Sequence, residues 1–400
     1  MSSHPIVLVL VLAVAAPLLA EIPIGIRVPT VILEVMLGVL IGPHALGLAR
    51  AEGFLATMGM IGMAATLFMA GMELDWQRIR GRPMSLAAQG WALSLALGLA
   101  AAGLLYLLPM VHAPVMIALA LTTSSLGTLL PVLRDAGQLE TWFGRLFMAA
   151  ATVGEVGPIL VMSLVLSRRH TTEQQSGLLL VFLAITVLTA VVGLRAKTPK
   201  ILEVFSRTLH SSTQLPVRVS LLVLGIFFLL SDVLGFENIL GAFTAGMIVG
   251  LATRGPAAQS FREKIDAVCF GWFTPFFFVS TGLKFDVGAV TGSAATLGLV
   301  VAFLVIFLLV RGVPIFLYRR DTAKGERLPL ALFTAVASVS LVIVITEIGT
   351  RAGSMRSDTA AALIGAAMLS VLLFPTLGNV LLSRSARSSP GVQVHSLKGE

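Results

Sequence analysis

Apolar runs of about twenty residues, separated by short polar segments, recur along the whole of this 400-residue chain. About twenty apolar residues are what an α-helix needs to cross the hydrocarbon core of a bilayer. Only 12% of the residues are charged, against about 25% in soluble domains, and the mean hydropathy is +0.95. A transmembrane β-barrel would show short alternating segments in place of these runs. The sequence therefore predicts an all-α polytopic membrane protein.

The pattern predicts thirteen transmembrane helices. They form one transmembrane domain over residues 1–383, followed by a short disordered cytoplasmic tail over 384–400 that contains Ser, Pro and Gly. The first apolar run lacks the basic segment of a signal peptide, so we assign it to the membrane domain. The predicted spans are residues 5–20, 28–45, 54–73, 84–109, 114–133, 143–167, 176–194, 217–233, 238–252, 267–286, 293–312, 329–347 and 357–383.

Lysine and arginine are distributed unevenly between alternate loops. Loops after odd-numbered spans, together with the tail, hold 20 of the 28 basic residues, whereas loops after even-numbered spans hold 5. The other three, Arg218, Lys284 and Arg311, lie within predicted spans. Because cytoplasmic loops are enriched in Lys and Arg, this distribution predicts an N-terminus outside the cell and a cytoplasmic C-terminus. It also accounts for the net charge of +8 without a nucleic-acid partner.

Three features of the first half have counterparts about 210 residues later. Residues 28–42 resemble 236–250, a polar patch at 122–128 resembles 337–341, and the span 143–167 corresponds to 357–383. This shift corresponds to seven predicted spans. Because seven is an odd number, the second copy is inverted in the membrane relative to the first. Inverted repeats with interrupted helices are typical of secondary transporters, which bind their substrate near the bilayer midplane.

The predicted span 143–167 carries an acid at its centre. Glu155 lies twelve residues from either end, about 18 Å deep at a rise of 1.5 Å per residue. A carboxylate at the bilayer centre is unfavourable by about 2.5–3.5 kcal/mol on insertion scales, so such an acid is a functional candidate by default. Burial favours the protonated carboxyl group and an adjacent cation favours the charged form. One group can therefore hold a proton or a cation, but poorly both. The alternative is a structural acid paired with a buried base.

Hydroxyl side chains interrupt two of the predicted spans. They can satisfy freed backbone groups or offer oxygens to Na⁺ or K⁺, and ordinary hydrogen bonding between helices is the alternative. Beside a central carboxylate we favour an ion site, formed with Glu155 by Thr122, Thr123, Ser124, Ser125, Ser338 and Ser340.

Other charged residues are weaker candidates for this site. Lys284 either reaches inward as a counter-ion for Glu155 or turns to the membrane surface and pairs with Asp286. Glu34, about 9 Å deep, either lines an entry funnel or pairs with a base. We place Glu73 in the loop after the third span.

Five segments together carry a family resemblance: VPTVILEVMLGVLIGP (28–43), LFMAGMELD (67–75), TTSSLGTLLPVL (122–133), LGAFTAG (240–246) and PFFFVSTGLKFD (275–286). On these segments the chain resembles the second monovalent cation:proton antiporter family, which includes Kef-type and related sodium/hydrogen exchangers. The resemblance extends over most of residues 25 to 380. The resemblance implies thirteen helices, a part that forms a homodimer, and a mobile core with two crossing broken helices. It makes residues 122–128 the first crossing segment and 337–341 part of the second.

The chain departs from that family at one position. The family usually has Asp-Asp, Asn-Asp or Gln-Asp at the centre of the helix after the first crossing, whereas this chain has Gly154-Glu155. Glu155 matches the ion-binding acid and is one carbon longer, and Gly154 removes the first partner. This departure favours electroneutral, one-for-one exchange.

The residues and the resemblance together predict a secondary active transporter of the bacterial inner membrane that exchanges Na⁺ or K⁺ for H⁺. We expect no cofactor, no metal beyond the transported cation, and membrane lipid as surroundings. The alternatives are a Na⁺-coupled symporter or organic-anion carrier on the same scaffold, and a transport-inactive sensor or partner membrane protein. An enzyme is least supported, because the sequence has no His or Cys cluster, no phosphate-binding loop and a single cysteine, Cys269.

Overall fold

The computed structural model is all-helical and describes residues 4–21, 29–74, 79–108, 110–135, 137–165, 172–195, 207–209, 211–253, 258–285, 288 and 293–387. A π-helical turn, Cys269–Phe273, follows the helix Ala258–Val268, and a 3₁₀ turn, Val313–Tyr318, follows the helix Ala294–Gly312. In chain order the helices are α1 (His4–Ala20), α2 (Thr30–Ile41), α3 (Phe54–Met72), α4 (Arg82–Leu107), α5 (Pro114–Leu121), α6 (Leu126–Asp135), α7 (Trp142–Val165), α8 (Thr172–Arg195), α9 (Leu215–Val233), α10 (Asn238–Ala252), α11 (Ala258–Val268), α12 (Thr274–Lys284), α13 (Ala294–Gly312), α14 (Lys324–Thr334), α15 (Val339–Arg351) and α16 (Ser357–Arg387).

Each predicted span falls on one of these helices or on a pair of them. Within the described ranges, seven helices are long and apolar enough to cross a membrane, and an eighth span results if α14 and α15, which meet at 41°, are counted together. Shorter apolar helices occupy the other predicted spans. Helix α16 continues to Arg387 and so includes residues 384–387 of the predicted tail, whereas residues 388–400 lie outside the described part.

The helices pack in two groups, which we call the panel and the core. In the panel, α12 packs on α2 and α3, and α10 packs on α3 and α9. In the core, α4 packs on α5 and α7, and α16 packs on α13, α14 and α15. The most extensive contacts between described helices fall within these two groups.

Glycines bring the panel helices into backbone contact. A side chain at Gly38 of α2 would overlap the backbone of α12, and a side chain at Gly282 of α12 would overlap that of α2. In the same way, Gly71 of α3 and Gly246 of α10 each lie against the backbone of the other helix. Small residues allow such close approach between membrane helices, where packing replaces the hydrophobic effect.

Two helix pairs in the core are interrupted, and the interruptions meet. Residues 122–125 separate α5 from α6, and residues 335–338 separate α14 from α15. The amide of Ser125 in the first break donates a hydrogen bond to the carbonyl of Val336 in the second, at 3.0 Å. The two crossing broken helices that the resemblance implied are therefore present.

The breaks are shorter than the predicted segments. Helix α6 already begins at Leu126, within the predicted 122–128 segment, and α15 begins at Val339, so Leu341 is helical. Ser338 takes the N-cap position of α15 without a capping hydrogen bond from its side chain, and the apolar run after it favours a helix that starts at Val339.

Candidate ion-binding site

Glu155 is buried in α7, where only 4% of its surface is exposed. Its Oε1 accepts a hydrogen bond from the amide of Leu126, the first residue of α6, at 3.2 Å. Its Oε2 is buried and has no hydrogen-bond partner among the described residues. A buried carboxylate oxygen without a partner is unfavourable, because its lost hydration is not replaced. A proton on this oxygen, or a cation beside it, would remove that penalty.

A cavity of about 400 Å³ lies beside Glu155, between the panel and the core. Its walls are largely apolar, with Phe243 and Phe278 contributed by the panel. Its polar lining comes from both groups and from the crossing and, besides Glu155, comprises Thr30, Thr66, Glu73, Ser125, Thr128, Ser338 and Ser340. Hydroxyl and carboxylate oxygens around a small cavity are the ligands that suit a hard cation such as Na⁺ or K⁺.

Three of the predicted hydroxyl residues do not line this cavity. Thr122 donates its hydroxyl hydrogen to the carbonyl of Leu119, and Thr123 donates to Ala120, each at 2.8 Å. The same two carbonyls also accept the backbone amides of Thr122 and Thr123, each at 3.2 Å, so the hydroxyl bonds reinforce the end of α5, where the regular helical bonds stop. Thr123 Oγ1 also accepts from the amide of Ser338 at 3.3 Å, so it links the two breaks. Their observed role is to hold the crossing together.

Ser124 is hydrogen-bonded to a buried arginine, Arg311. The sequence placed Arg311 within a predicted span but indicated no role for it. Arg311 of α13 donates from Nε to Ser124 Oγ at 2.9 Å and from Nη2 to the carbonyl of Ala150 at 3.0 Å. Ser124 Oγ in turn donates to the carbonyl of Thr334 at 2.5 Å. Thr334 is the last residue of α14, and a positive charge near the C-terminus of a helix is stabilising. Arg311 therefore ties α7 and α13 to both breaks.

Gly154 provides the space that this arginine occupies. A Cβ atom at position 154 would lie 2.8 Å from Arg311 Nη2 and 2.8 Å from the Cβ of Ser124. At the position where the family usually has Asp, Asn or Gln, this chain thus has a glycine that lies against a guanidinium group.

Glu73 lies in the turn that follows α3, as its C-cap, in agreement with its predicted place after the third span. It also lines the same cavity as Glu155, which was not predicted. The sequence did not indicate Glu73 as a site residue, because it lies at the end of an apolar run, next to Leu74 and Asp75. Asp75 itself lies outside the described residues.

Lys284 lies away from Glu155. Its Nζ donates to Oε1 of Glu347 at 2.5 Å, and Glu347 also accepts from Arg351 at 2.6 Å. The structure therefore pairs Lys284 with Glu347 and not with Glu155, and Asp286, the other partner considered, lies outside the described residues. Glu34 is buried in α2 and does not line the cavity of about 400 Å³.

The fold and the site define a class: a helical membrane protein in which two broken helices cross beside a buried acid that faces a cavity. The comparisons with known proteins narrow that class. Residues 8–383 match the sodium/hydrogen exchanger transmembrane family, and the chain belongs to this family. The family resemblance inferred from the sequence is thereby confirmed.

Individual relatives are distant in sequence. The chain is 24% identical over 371 residues to the Na⁺/H⁺-K⁺ antiporter GerN of Bacillus cereus, covering 90% of this chain and 92% of GerN. It is 28% identical over 308 residues to cation/H⁺ antiporter 18 of Arabidopsis thaliana, and 23% identical over 400 residues to YjbQ of Bacillus subtilis. These alignments span only 37% of the plant protein and 63% of YjbQ.

A solved structure shares the fold. The sodium proton antiporter MjNhaP1 of Methanocaldococcus jannaschii superimposes with a TM-score of 0.60 over 96% of both chains, at 16% sequence identity.

Proposed function

We propose that this chain exchanges a monovalent cation, Na⁺ or K⁺, for H⁺ across a membrane, with Glu155 as the shared binding site. The observation that carries the proposal is the buried Oε2 of Glu155, which has no described partner and lies beside an oxygen-lined cavity. A proton and a cation compete for that oxygen. If the site opens to one side at a time, this competition couples the two flows in opposite directions.

The names of relatives support the same activity. GerN is named a Na⁺/H⁺-K⁺ antiporter, and the plant relatives are named cation/H⁺ antiporters. The cavity also holds two carboxylates, Glu73 and Glu155, and no basic residue lines it among the described residues. That charge favours a cation as the substrate over an organic anion.

In this proposal the chain crosses a bacterial inner membrane thirteen times, as a homodimer, with its N-terminus outside. The close contacts of the panel support an inverted repeat. Gly38 and Gly282 lie in the α2–α12 interface, and Gly246 and Gly71 occupy the equivalent places in the α3–α10 interface. Gly38 and Gly246 are 208 residues apart, and Gly71 and Gly282 are 211 apart. The basic residues near the end of α3 and the start of α4 support a cavity that opens towards the cytoplasm.

The exchange is one-for-one in this proposal. Gly154 leaves α7 with a single acid at its centre, and Arg311 lies where a second side chain would project. One carboxyl group binds one proton or one monovalent cation, so each half-cycle carries the same charge.

The activity can be tested in everted vesicles from cells that lack their own antiporters, with a pH-sensitive dye. Addition of Na⁺ or K⁺ should release the accumulated protons in vesicles that contain the wild-type chain. We expect Glu155→Gln to abolish this response, because the amide cannot carry a proton or bind a cation by charge. Glu155→Asp should retain part of it, since the acid is kept.

Glu52→Gln is the matched control, since Glu52 is exposed and precedes α3. An equal response from wild type and Glu155→Gln would exclude Glu155 as the site. A proton flux that requires an organic solute would indicate a symporter. No cation-dependent flux, together with a stable stoichiometric partner on purification, would indicate a sensor or assembly partner.

A further inference from the structure

Helix α7 contains a proline three residues after Glu155. Pro158 is buried inside the helix and has no backbone N–H. In a regular α-helix the amide of residue 158 would donate to the carbonyl of residue 154, four residues earlier. Because proline cannot make this bond, the carbonyl of Gly154 has no such partner within the helix. A carbonyl that is freed inside a membrane needs a donor from elsewhere.

The freed carbonyl has a donor in the first break. The amide of Ser124 donates to the carbonyl of Gly154 at 3.2 Å. Two residues later, the amide of Leu126 donates to Oε1 of Glu155, also at 3.2 Å. Adjacent residues of α7 therefore accept two amides of the same segment, one through the backbone and one through the carboxylate. The bond to the carbonyl fixes the position of the break relative to Glu155.

The amides of residues 122–126, all within the described part of the chain, each have an acceptor. Those of residues 122 and 123 donate to carbonyls of α5, and that of Ser125 donates to the carbonyl of Val336 in the second break. Only the amide of Ser124 depends on the carbonyl that the proline leaves free. A competing donor for that carbonyl would leave a buried amide without a full hydrogen bond, which is unfavourable.

The position of the break decides which carboxylate oxygen of Glu155 is available. Because Oε1 is held by the amide of Leu126, Oε2 is the oxygen without a described partner beside the cavity. Ser125 lines the same cavity, and its hydroxyl donates to Thr128 at 2.7 Å. A shift of the break away from α7 would move both the amide that orients the carboxylate and this hydroxyl.

The corresponding helix of the second half holds its break in another way. Helix α16 also contains a buried proline, Pro375, which leaves the carbonyl of Val371 without its helical donor. The amide of Ala337 in the second break donates instead to the hydroxyl oxygen of Ser370, at 3.0 Å. This contact does not use a carbonyl freed by proline. Pro375 is therefore an internal control for the general effect of a proline in a membrane helix.

We propose that Pro158 is a positioning residue for Glu155: it leaves the Gly154 carbonyl free to hold the first break, so that the amide of Leu126 orients the carboxylate. The inference rests on the proposed exchange of a monovalent cation for H⁺. Helix α7 and the first break both belong to the core, so they keep this contact as the core moves against the panel. The effect on cation binding is therefore the same from both faces of the membrane.

The test is to give residue 158 an amide and to measure the cation KM in right-side-out and everted vesicles that contain the full chain. Pro158→Ala adds an N–H that competes with the amide of Ser124 for the carbonyl of Gly154. We expect the Na⁺ or K⁺ KM to rise about three- to tenfold at both faces, the effect of one lost hydrogen bond, with a smaller change in kcat. The melting temperature should stay equal or rise, because alanine favours a helix more than proline does.

An ester at position 158 separates the missing N–H from the proline ring. Lactic acid, incorporated there by nonsense suppression, has the methyl group of alanine and, like proline, no amide hydrogen. It should restore a KM close to that of wild type, and Pro375→Ala, the matched control, should leave the KM unchanged. A wild-type KM for Pro158→Ala, or equal KM values for alanine and the ester, would overturn the inference.

Hydrogen–deuterium exchange in the purified protein separates the inference from the activity on which it rests. The amides of Ser124 and Leu126 should exchange faster in Pro158→Ala than in wild type or in Pro375→Ala. Pro158→Gly adds the same N–H and serves if the alanine variant does not fold. Faster exchange of these amides in a chain that transports no cation would refute the antiport and keep the positioning role. Equal protection in all three proteins would refute the positioning role even in an active exchanger.

Discussion

Gly154 and Arg311 share one small space in the core. Nη2 of Arg311 lies where the side chain of residue 154 would begin, and the guanidinium group is fixed by bonds to Ser124 and Ala150. Burying a charge is tolerated only when its hydrogen bonds are satisfied, and Arg311 meets this condition with neutral oxygens. The glycine is therefore required by the packing of this chain.

Gly154→Ala should lower the stability of the protein by about 1–3 kcal/mol, because the added methyl group displaces Arg311 or Ser124. Thermal unfolding in detergent would show this as a lower melting temperature. Gly103→Ala is the control: Gly103 lies inside α4 with no atom within 4 Å of an added Cβ, so alanine should be neutral or slightly stabilising. Equal melting temperatures of Gly154→Ala and Gly103→Ala would contradict the steric overlap at position 154.

Two serines near the site should differ in what they do. Ser124 bonds to Arg311 and to Thr334, whereas Ser340 lines the cavity. Ser124→Ala should lower stability by about 1–3 kcal/mol, because it leaves buried polar groups without a partner. Ser340→Ala should leave the melting temperature close to that of wild type and raise the cation KM. If Ser340→Ala lowered the melting temperature and Ser124→Ala did not, the roles of the two serines would be reversed.

At the scale of elements, the start of α4 is tied to the segment that leads into α14. Arg82 forms an ion pair with Asp321, and the indole nitrogen of Trp142 in α7 donates to the carbonyl of Asp321 at 2.9 Å. Asp321 lies outside the membrane-spanning helices. The hydrogen bond from Arg82 holds the pKa of the Asp321 carboxyl below its usual value.

This ion pair predicts a pH dependence of stability. A carboxyl group whose pKa is lowered by folding stabilises the folded state above its unfolded pKa, near 4, and this contribution is lost as the pH falls through the folded pKa. Asp321→Asn should therefore lower the melting temperature slightly at pH 7, and the difference from wild type should shrink towards pH 3. The effect is small because Arg82 is exposed. A difference that grows on acidification would be inconsistent with the pair.

At the scale of the whole molecule, the panel and the core enclose cavities at opposite ends of α3. Thr57 lines a cavity of about 210 Å³ beside the first half of α3, and Ser340 lines the cavity of about 400 Å³ beside Glu155. Fold, cavities and the distribution of basic residues together predict that these two positions face opposite sides of the membrane.

Cysteine labelling tests this orientation, after replacement of the native Cys269 by alanine. Thr57→Cys should react with a membrane-impermeant maleimide added to intact cells, whereas Ser340→Cys should react only in everted vesicles. Labelling of both positions from the same face would contradict the predicted orientation and the separation of the cavities.

Much of the fold could be predicted from the sequence because its causes are local. Apolar runs near twenty residues predict membrane helices wherever they occur, and hydroxyl residues in sequence predict the two helix breaks. Glu155 could be singled out because an acid inside an apolar run is unusual by itself. The boundaries of the breaks were less accurate, since α6 and α15 begin within the predicted polar segments.

The sequence alone determined the helical membrane class, the broken helices and the central acid, since each depends on neighbours within one helix. Only the tertiary structure decided the roles of Arg311, Glu73 and Lys284. Arg311 and Ser124 are 187 residues apart along the chain, Lys284 and Glu347 are 63 apart, and Glu73 lines the same cavity as Glu155 from the other helix group. A charged residue within or at the end of an apolar run can turn to lipid, water or the interior. Which of these it meets depends on how the helices pack, and no pattern within a single helix records that choice.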